Sequence, residues 1–226
     1  MQLPFHHRLD NPVWHSLSEA HQRFALDCGI IKFYQPDYCP FGGFVQAEGI
    51  ADGLNKYATM IKSFYTIGAQ PPVSNGLKIT GEVACLQMVL DKRMAVDITE
   101  DIVALREDQS GLLFELVDQV QPGYIRKKTA MLGSYFGIFK NGELVAVTGE
   151  RMKMFAYTEL SAVCTLPGHT GKGYASQLLA HTSNKIFAEN KLPYLHVAVT
   201  NTGAIKLYEK SGFTIRRKIS AWHIEQ

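Results

Sequence analysis

The sequence predicts an α/β fold built on a mixed sheet, and three stretches carry that expectation. Residues 157–165 read as an apolar strand that runs through a glycine-rich turn into a long amphipathic helix over 171–190. Residues 194–199 read as a buried strand followed by a short helix over 203–210. The apolar runs 135–139 and 144–148 flank Lys140-Asn141-Gly142-Glu143, and Asn-Gly tolerates the positive φ of a tight hairpin turn. A strand-helix-strand unit makes parallel neighbours and a hairpin makes antiparallel ones, so a sheet holding both is mixed.

The remaining elements follow in chain order. Residues 13–26 have helical spacing, with Val13, Leu17 and Phe24 on the apolar side, and 50–61 form a second helix candidate. Residues 63–67 and 83–90 are strand candidates, rich in aromatic and branched side chains. Between them, Pro71-Pro72 and Asn75-Gly76 mark a loop over 70–76. The charged run Asp91-Lys92-Arg93 and the pair Glu100-Asp101 place a boundary between an N-terminal α/β lobe, 1–95, and a second domain, 96–226. That domain opens with a strand at 102–105. A helix follows, capped by Asp108 or Ser110, with Leu112, Leu113, Leu116 and Val120 at helical intervals, then a short helix near 125–131. In the long helix Ala175, Leu178, Leu179, Thr182 and Ile186 form one stripe, and Lys191-Leu192-Pro193 ends it. Gly212 suits the left-handed position after the 203–210 helix, and 214–217 with 220–224 close the sheet as a last hairpin.

Composition excludes several function classes. The chain has 226 residues, 46% of them hydrophobic, enough for one large or two modest domains. Basic and acidic residues number 23 and 21, a net +2, so no electrostatic footprint for nucleic acid or a membrane surface is expected. Cys28, Cys39, Cys85 and Cys164 are scattered, without the spacing of a metal cluster, and read as reduced thiols. His6-His7 reads as a solvated pair. Residues 1–10 have no signal-peptide apolar stretch, and no window approaches the roughly 20 apolar residues of a membrane span. A cytoplasmic location is the expectation.

Chemistry concentrates in Pro167-Gly168-His169-Thr170-Gly171-Lys172-Gly173-Tyr174-Ala175-Ser176. Gly171, Gly173 and Ala175 bare the backbone where a helix begins. There the unpaired N–H groups and the positive end of the dipole suit a diphosphate, and Lys172 adds a cation. A Walker loop fails, because Tyr174 and Ala175 stand where Lys and Ser/Thr are required. A dinucleotide fingerprint through Gly171, Gly173 and Ser176 is partial and has no second βαβ half after it, which disfavours an NAD(P)-binding oxidoreductase. An ordinary tight strand-to-helix turn is the bland alternative.

Val163-Cys164-Thr165-Leu166-Pro167 with Thr170-Gly171-Lys172-Gly173-Tyr174-Ala175, followed by the run Asn201-Thr202-Gly203-Ala204 to Leu207-Tyr208 and Gly212-Phe213, resembles motifs A and B of the GNAT superfamily of N-acetyltransferases. The nearest likeness is to the FR47-like branch, with its glycine N-acyltransferase-like C-terminal domain. The resemblance covers residues 102–226 and is sharpest over 157–217. Thr170 departs from it, standing where the family has Arg or Gln for a pyrophosphate contact.

The resemblance implies a GNAT fold whose mixed central sheet contains two splayed parallel strands, with the first lobe a degenerate GNAT-like unit. It implies acetyl-CoA as co-substrate, no metal, and transfer of an acetyl or short acyl group to an amine of a small molecule or peptide. The implied cofactor-binding residues are Val163, Cys164, Thr165, Thr170, Gly171, Lys172, Gly173, Tyr174, Ala175, Ser176, Asn201, Ala204 and Tyr208. Backbone N–H groups near Val163 and Thr165 would polarise the acyl carbonyl, and Tyr208 would protonate the leaving thiolate. The expected partner is a small-molecule amine, with homodimerisation left open. A non-catalytic acyl-CoA-binding module is the alternative, and the substitution at Thr170 supports it.

For the general base the residues offer Glu159. Strand alternation puts Glu159, Ser161 and Val163 on one face, with Glu159 about 13 Å from Val163 and able to act through water. Glu150 is the rival, unless Arg151 or Lys153 pairs with it. Cys164 lacks a histidine partner and is expected to be inert.

Overall fold

The computed structural model describes residues 6–74 and 76–226. Residues 1–5 of the leader reading and Asn75 of the loop reading lie outside the described residues. The first half supplies α1 (Pro12–Ser18), β1 (Ala25–Asp27), β2 (Ile31–Tyr34), β3 (Phe41–Phe44), α2 (Ala51–Ala58), β4 (Ser63–Gly68) and β5 (Lys78–Val89). The second supplies β6 (Ile102–Ala104), α3 (Ser110–Val120), β7 (Tyr135–Lys140), β8 (Glu143–Lys153) and β9 (Tyr157–Thr165). It ends with α4 (Tyr174–Ala188), β10 (Leu192–Ala198), α5 (Thr202–Lys210) and β11 (Thr214–Glu225). None of these helices is long and apolar enough to cross a membrane.

Among the described residues, eleven strands form one mixed sheet in the order β1-β2-β3-β4-β11-β5-β10-β9-β8-β7-β6. The order is nearly palindromic. Each half runs through an antiparallel meander, crosses by a helix and returns as a parallel neighbour: β3 pairs in parallel with β4, and β9 with β10. Each half then lends its last strand to the other, so β5 lies between β11 and β10 while β11 lies between β5 and β4. The two halves are thus built alike, without a repeat visible in the sequence. The boundary expected near residue 95 falls in a connection and does not divide the sheet. That connection is tied to α4: Met94 exchanges two hydrogen bonds with the Asn184 amide, both 3.0 Å, and Gln177 Oε1 accepts from the Thr99 and Glu100 N–H groups at 2.8 and 2.9 Å.

The exchange corrects one expectation directly. Residues 214–225 are one continuous strand, not a hairpin, with a register shift between Ile215 and Arg217. Lys218-Ile219 contains no turn former, and β5 pairs with the strand through both residues while β4 joins on the other side from Ser220, so turning would strand polar groups that extension pairs. The helix expected over 13–26 ends at Ser18, because residues 25–27 are taken as a strand by β2. Neither Asp108 nor Ser110 caps α3. Asp108 binds the Arg106 guanidinium, and a 3₁₀ turn over Glu107–Gln109 leads into the helix. The helix expected near 125–131 is a single 3₁₀ turn, Thr129–Leu132. The local turn signals hold: Asn141 and Gly142 have φ of 51° and 82°. Gly212 has φ of 93°, and the Phe213 N–H behind it returns to Tyr208 O at 3.0 Å.

One core cluster spans both halves, joining Leu9, Val13, Leu17 and Tyr34 to Met152, Tyr157 and Tyr194. His21 is buried beside it, its Nδ1 2.8 Å from the Tyr34 hydroxyl. Burial lowers the His21 pKa from 6.5 to about 4, because imidazolium is poorly solvated there. The unfolded chain therefore binds this proton more readily. The stability His21 contributes is complete above about pH 6.5 and is lost as pH falls toward about 4. In a melting series the midpoint should fall over the upper part of that window, and His21→Gln should flatten the slope; equal slopes in both proteins would contradict the assignment.

Candidate active site

Strand β9 runs into a short 3₁₀ turn, Pro167–His169, and then into α4. Gly171 and Gly173 both have left-handed backbones, with φ of 76° and 78°. A side chain at Gly171 would meet nothing within 4 Å, and at Gly173 only the end of Gln177 at 3.9 Å, so the backbone here is open to a ligand. Gly173 caps α4 without any side-chain hydrogen bond, which leaves the first N–H groups of the helix unpaired. Lys172 is exposed beside them. These features fit a diphosphate.

Not every expected contributor can use its side chain. The Thr170 hydroxyl donates to Pro167 O at 3.0 Å, closing the turn on itself. Cys164 and Tyr174 point into the core cluster around Val147 and Leu178, and only their backbone remains available. Burial pushes the Cys164 thiol up to about 12, which keeps it protonated and inert. Ala175 and Ser176 are half-buried in the first turn of α4.

Strands β9 and β10 pair only at Leu192↔Tyr157, Pro193↔Thr158 and Tyr194↔Glu159. Beyond that point they splay. Strand β10 stays with β5 as far as Ala198↔Cys85, and β9 stays with β8 as far as Thr165↔Ala146. Leu166 N–H bonds to Val145 O at 2.9 Å. Alternation then turns the N–H groups of Val163 and Thr165 away from β8, into the gap.

The gap opens into a cavity of 430 Å³. Val163, Val197, Ala198, Asn201 and Tyr208 line it from β9, β10 and α5 with its cap. Phe41, Tyr65, Tyr124, Arg126, Arg151 and Ile219 line the rest. Asn201 caps α5 through Oδ1, which accepts from Ala204 N–H at 3.1 Å. Ala204 packs in the cluster around Leu195 and does not line the cavity. Tyr208 is 7% exposed, its ring edge-on to Phe213, and its hydroxyl has no hydrogen-bond partner among the described residues. Burial pushes its pKa above the usual tyrosine value, so the phenol stays protonated.

Glu159 does not stand where alternation places it. Ala162 has φ of 53°, and β9 gains an extra residue against β8 between Ser161↔Gly149 and Cys164↔Val147. This bulge puts Val163 on the same side as Leu160, in the cluster with Leu179 and Tyr208. Glu159 faces the other way. It is fully buried, with Arg151 donating from Nε at 2.7 Å and Nη2 at 2.9 Å, and with His196 Nδ1 at 2.8 Å. Burial alone would raise its pKa, but the Arg151 guanidinium and the His196 contact outweigh that and hold it at about 2. A carboxylate so fully engaged is a poor proton acceptor at neutral pH.

The network continues. The Gln87 amide donates from Nε2 to Leu9 O at 2.7 Å and to His196 Nε2 at 3.0 Å, while Arg216 donates to Gln87 Oε1 at 2.8 Å. With Nε2 accepting, the imidazole carries its proton on Nδ1, facing Glu159. Glu150 is also buried, held by Lys153 at 2.8 Å and Lys185 at 3.0 Å and not by Arg151. No Asp or Glu lines the cavity among the described residues. The sequence offered one slight signal for this network, a histidine in an apolar strand; that it stands opposite Gln87 is shown only by the fold.

Removing the charge of Glu159 leaves Arg151 buried without its counter-ion. Glu159→Gln should cost about 3–5 kcal/mol of stability, measured by urea unfolding at pH 7. Because its pKa is depressed, the contribution of Glu159 is present above the ordinary carboxylate pKa of 4.5 and disappears as pH falls toward about 2. The shape of the pH–rate profile should not change, and a rate loss at neutral pH that recovers at high pH, where free amine is plentiful, would restore Glu159 as the base.

Comparison with known proteins bears out the fold. The family described as FR47-like protein matches residues 135–222. No curated protein matches. A solved structure of a protein from the GNAT family of Novosphingobium aromaticivorans DSM 12444 is 30% identical, with a TM-score of 0.87 over 97% of this chain and 99% of that one. A GCN5-related N-acetyltransferase from Kribbella flavida is 13% identical, with a TM-score of 0.62 over 98% and 95% of the two chains. A tandem GNAT protein from the clavulanic acid biosynthesis pathway is 16% identical, with a TM-score of 0.56 over 86% and 78%. The last two show likeness of fold alone.

Proposed function

Because the chain belongs to the GNAT family of acetyltransferases, we propose that it transfers an acetyl or short acyl group from acyl-CoA to the amine of a small molecule or peptide. The observation that carries this reading is the gap between β9 and β10, which opens on the cavity lined by Tyr208 along the strand that leads into the open N-terminus of α4. The residues that would hold the co-substrate are the backbone from Gly171 to Ser176 for its diphosphate, with Lys172 beside it. The strand edge at Val163 and Thr165 and the cap at Asn201 would hold its arm. Bound there, acyl-CoA supplies an activated acyl group.

The chain's own contributions are few. The N–H groups of Val163 and Thr165 would stabilise negative charge on the acyl oxygen, at no cost in reorganisation because the strand fixes them. Tyr208 would donate its proton to the departing sulfur. The amine would lose its proton to water, since Glu159 and Glu150 are both neutralised by ion pairs. The rate should therefore climb with pH as more of the amine becomes free base.

The test is release of free thiol from acetyl-CoA across a panel of small amines and short peptides, with product mass as confirmation. Acyl transfer to one class supports the reading. Tight acetyl-CoA binding with no transfer to any of them would favour a non-catalytic binding module.

A further inference from the structure

We infer that the acceptor carries a carboxylate beside an apolar body, and that Arg126 and Arg151, in the cavity wall, bind it. This rests on the acyl-transfer reading for the acceptor's role, but the site itself stands on its own geometry. Arginine is the charged residue type lining the cavity among the described residues, contributed by positions 126 and 151. Arg126 Nε is buried without a hydrogen-bond partner, and Arg126 makes no ion pair among the described residues. Arg151 spends Nε and Nη2 on Glu159, and no described residue accepts from its Nη1 edge. Its guanidinium lies 4.9 Å from the Phe41 ring and 5.4 Å from the Tyr124 ring, both of which also line the cavity.

A buried guanidinium N–H without a partner is costly, and an incoming anion that accepts from it removes that cost. Glu159 already balances Arg151, so Arg126 supplies the uncompensated charge. The planar fork of arginine suits a carboxylate held at two points. The backbone that fits the diphosphate, from Gly171 to Ser176, lies outside this cavity, so these cations are left for the second substrate. Tyr65, Ile67, Ile219 and the two rings around Arg151 give the remaining wall an apolar character suited to an aromatic or branched body.

The test uses probes that lack an amine and so cannot react. The intact protein, with and without CoA, is titrated calorimetrically with phenylacetate and isovalerate and with their carboxamides. Each carboxylate should bind about tenfold or more tightly than its carboxamide. Arg126→Gln should remove that preference, Arg126→Lys should retain part of it, and neither should alter CoA affinity. Carboxamides that bind as well as carboxylates in the wild type would overturn the inference. So would an Arg126→Gln protein that keeps the preference, or one whose CoA affinity falls instead. If the wild type binds the carboxylates but not CoA, the carboxylate site stands and the acyl-transfer reading falls.

Discussion

Tyr208→Phe should lower kcat by about 10²-fold or more while leaving the dissociation constant for CoA nearly unchanged. Tyr208 lines the cavity beside Val163 of β9 and Val197 of β10, and no described residue hydrogen-bonds its hydroxyl. Burial keeps the phenol protonated across the working pH range. It therefore has a proton to offer at the moment negative charge collects on sulfur, and little to offer the ground state. That difference separates a loss in kcat from a loss in binding. The ring is held by its edge contact with Phe213 at 6.0 Å and by the cluster around Leu195, neither of which needs the oxygen. The phenylalanine variant should therefore fold like the wild type. Single-turnover kinetics with a reactive amine would read the effect, and equal rates would remove Tyr208 from the chemistry.

Gly173→Val should reduce CoA affinity by more than any other single change in the turn. Gly173 sits at φ of 78°, a conformation that a branched side chain adopts only under strain, about 1–3 kcal/mol. Space is not the obstacle, since the nearest atom to an added Cβ is Gln177 Nε2 at 3.9 Å. The new methyl groups would instead occupy the open approach to the first N–H groups of α4, where a diphosphate must come closest. Equilibrium titration with CoA and a thermal melt separate the two effects. Binding should vanish while the protein stays folded with a lowered midpoint. Unchanged affinity would move the diphosphate away from this helix.

What the sequence reveals is what neighbouring residues decide. The limits of β9, the Asn141-Gly142 turn and the left-handed Gly212 all follow from a few adjacent side chains. The turn before α4 is legible for the same reason, because glycines at a strand-to-helix junction have few other uses. The exchange of β5 and β11 is not legible, since their partners are supplied by strands more than 100 residues away. Glu159 shows how a single residue defeats a period-two argument. Ala162 adopts a positive φ that alanine rarely takes, and everything beyond it changes face. Arg126 gives no signal at all in a loop without pattern, and Arg151 reads as an ordinary partner for an adjacent glutamate. Only the fold shows that Arg151 reaches across to β9 and that Arg126 stands over the same cavity.

On the proposed function, an acyl-CoA binds along the α4 turn and in the gap between β9 and β10. A calorimetric titration of the wild-type chain with acetyl-CoA, run beside one with NAD, tests it most directly. Saturable one-to-one binding of acetyl-CoA, lost in Gly173→Val, and no heat with NAD are expected. Binding of NAD alone, or acetyl-CoA binding that Gly173→Val leaves intact, would contradict this placement.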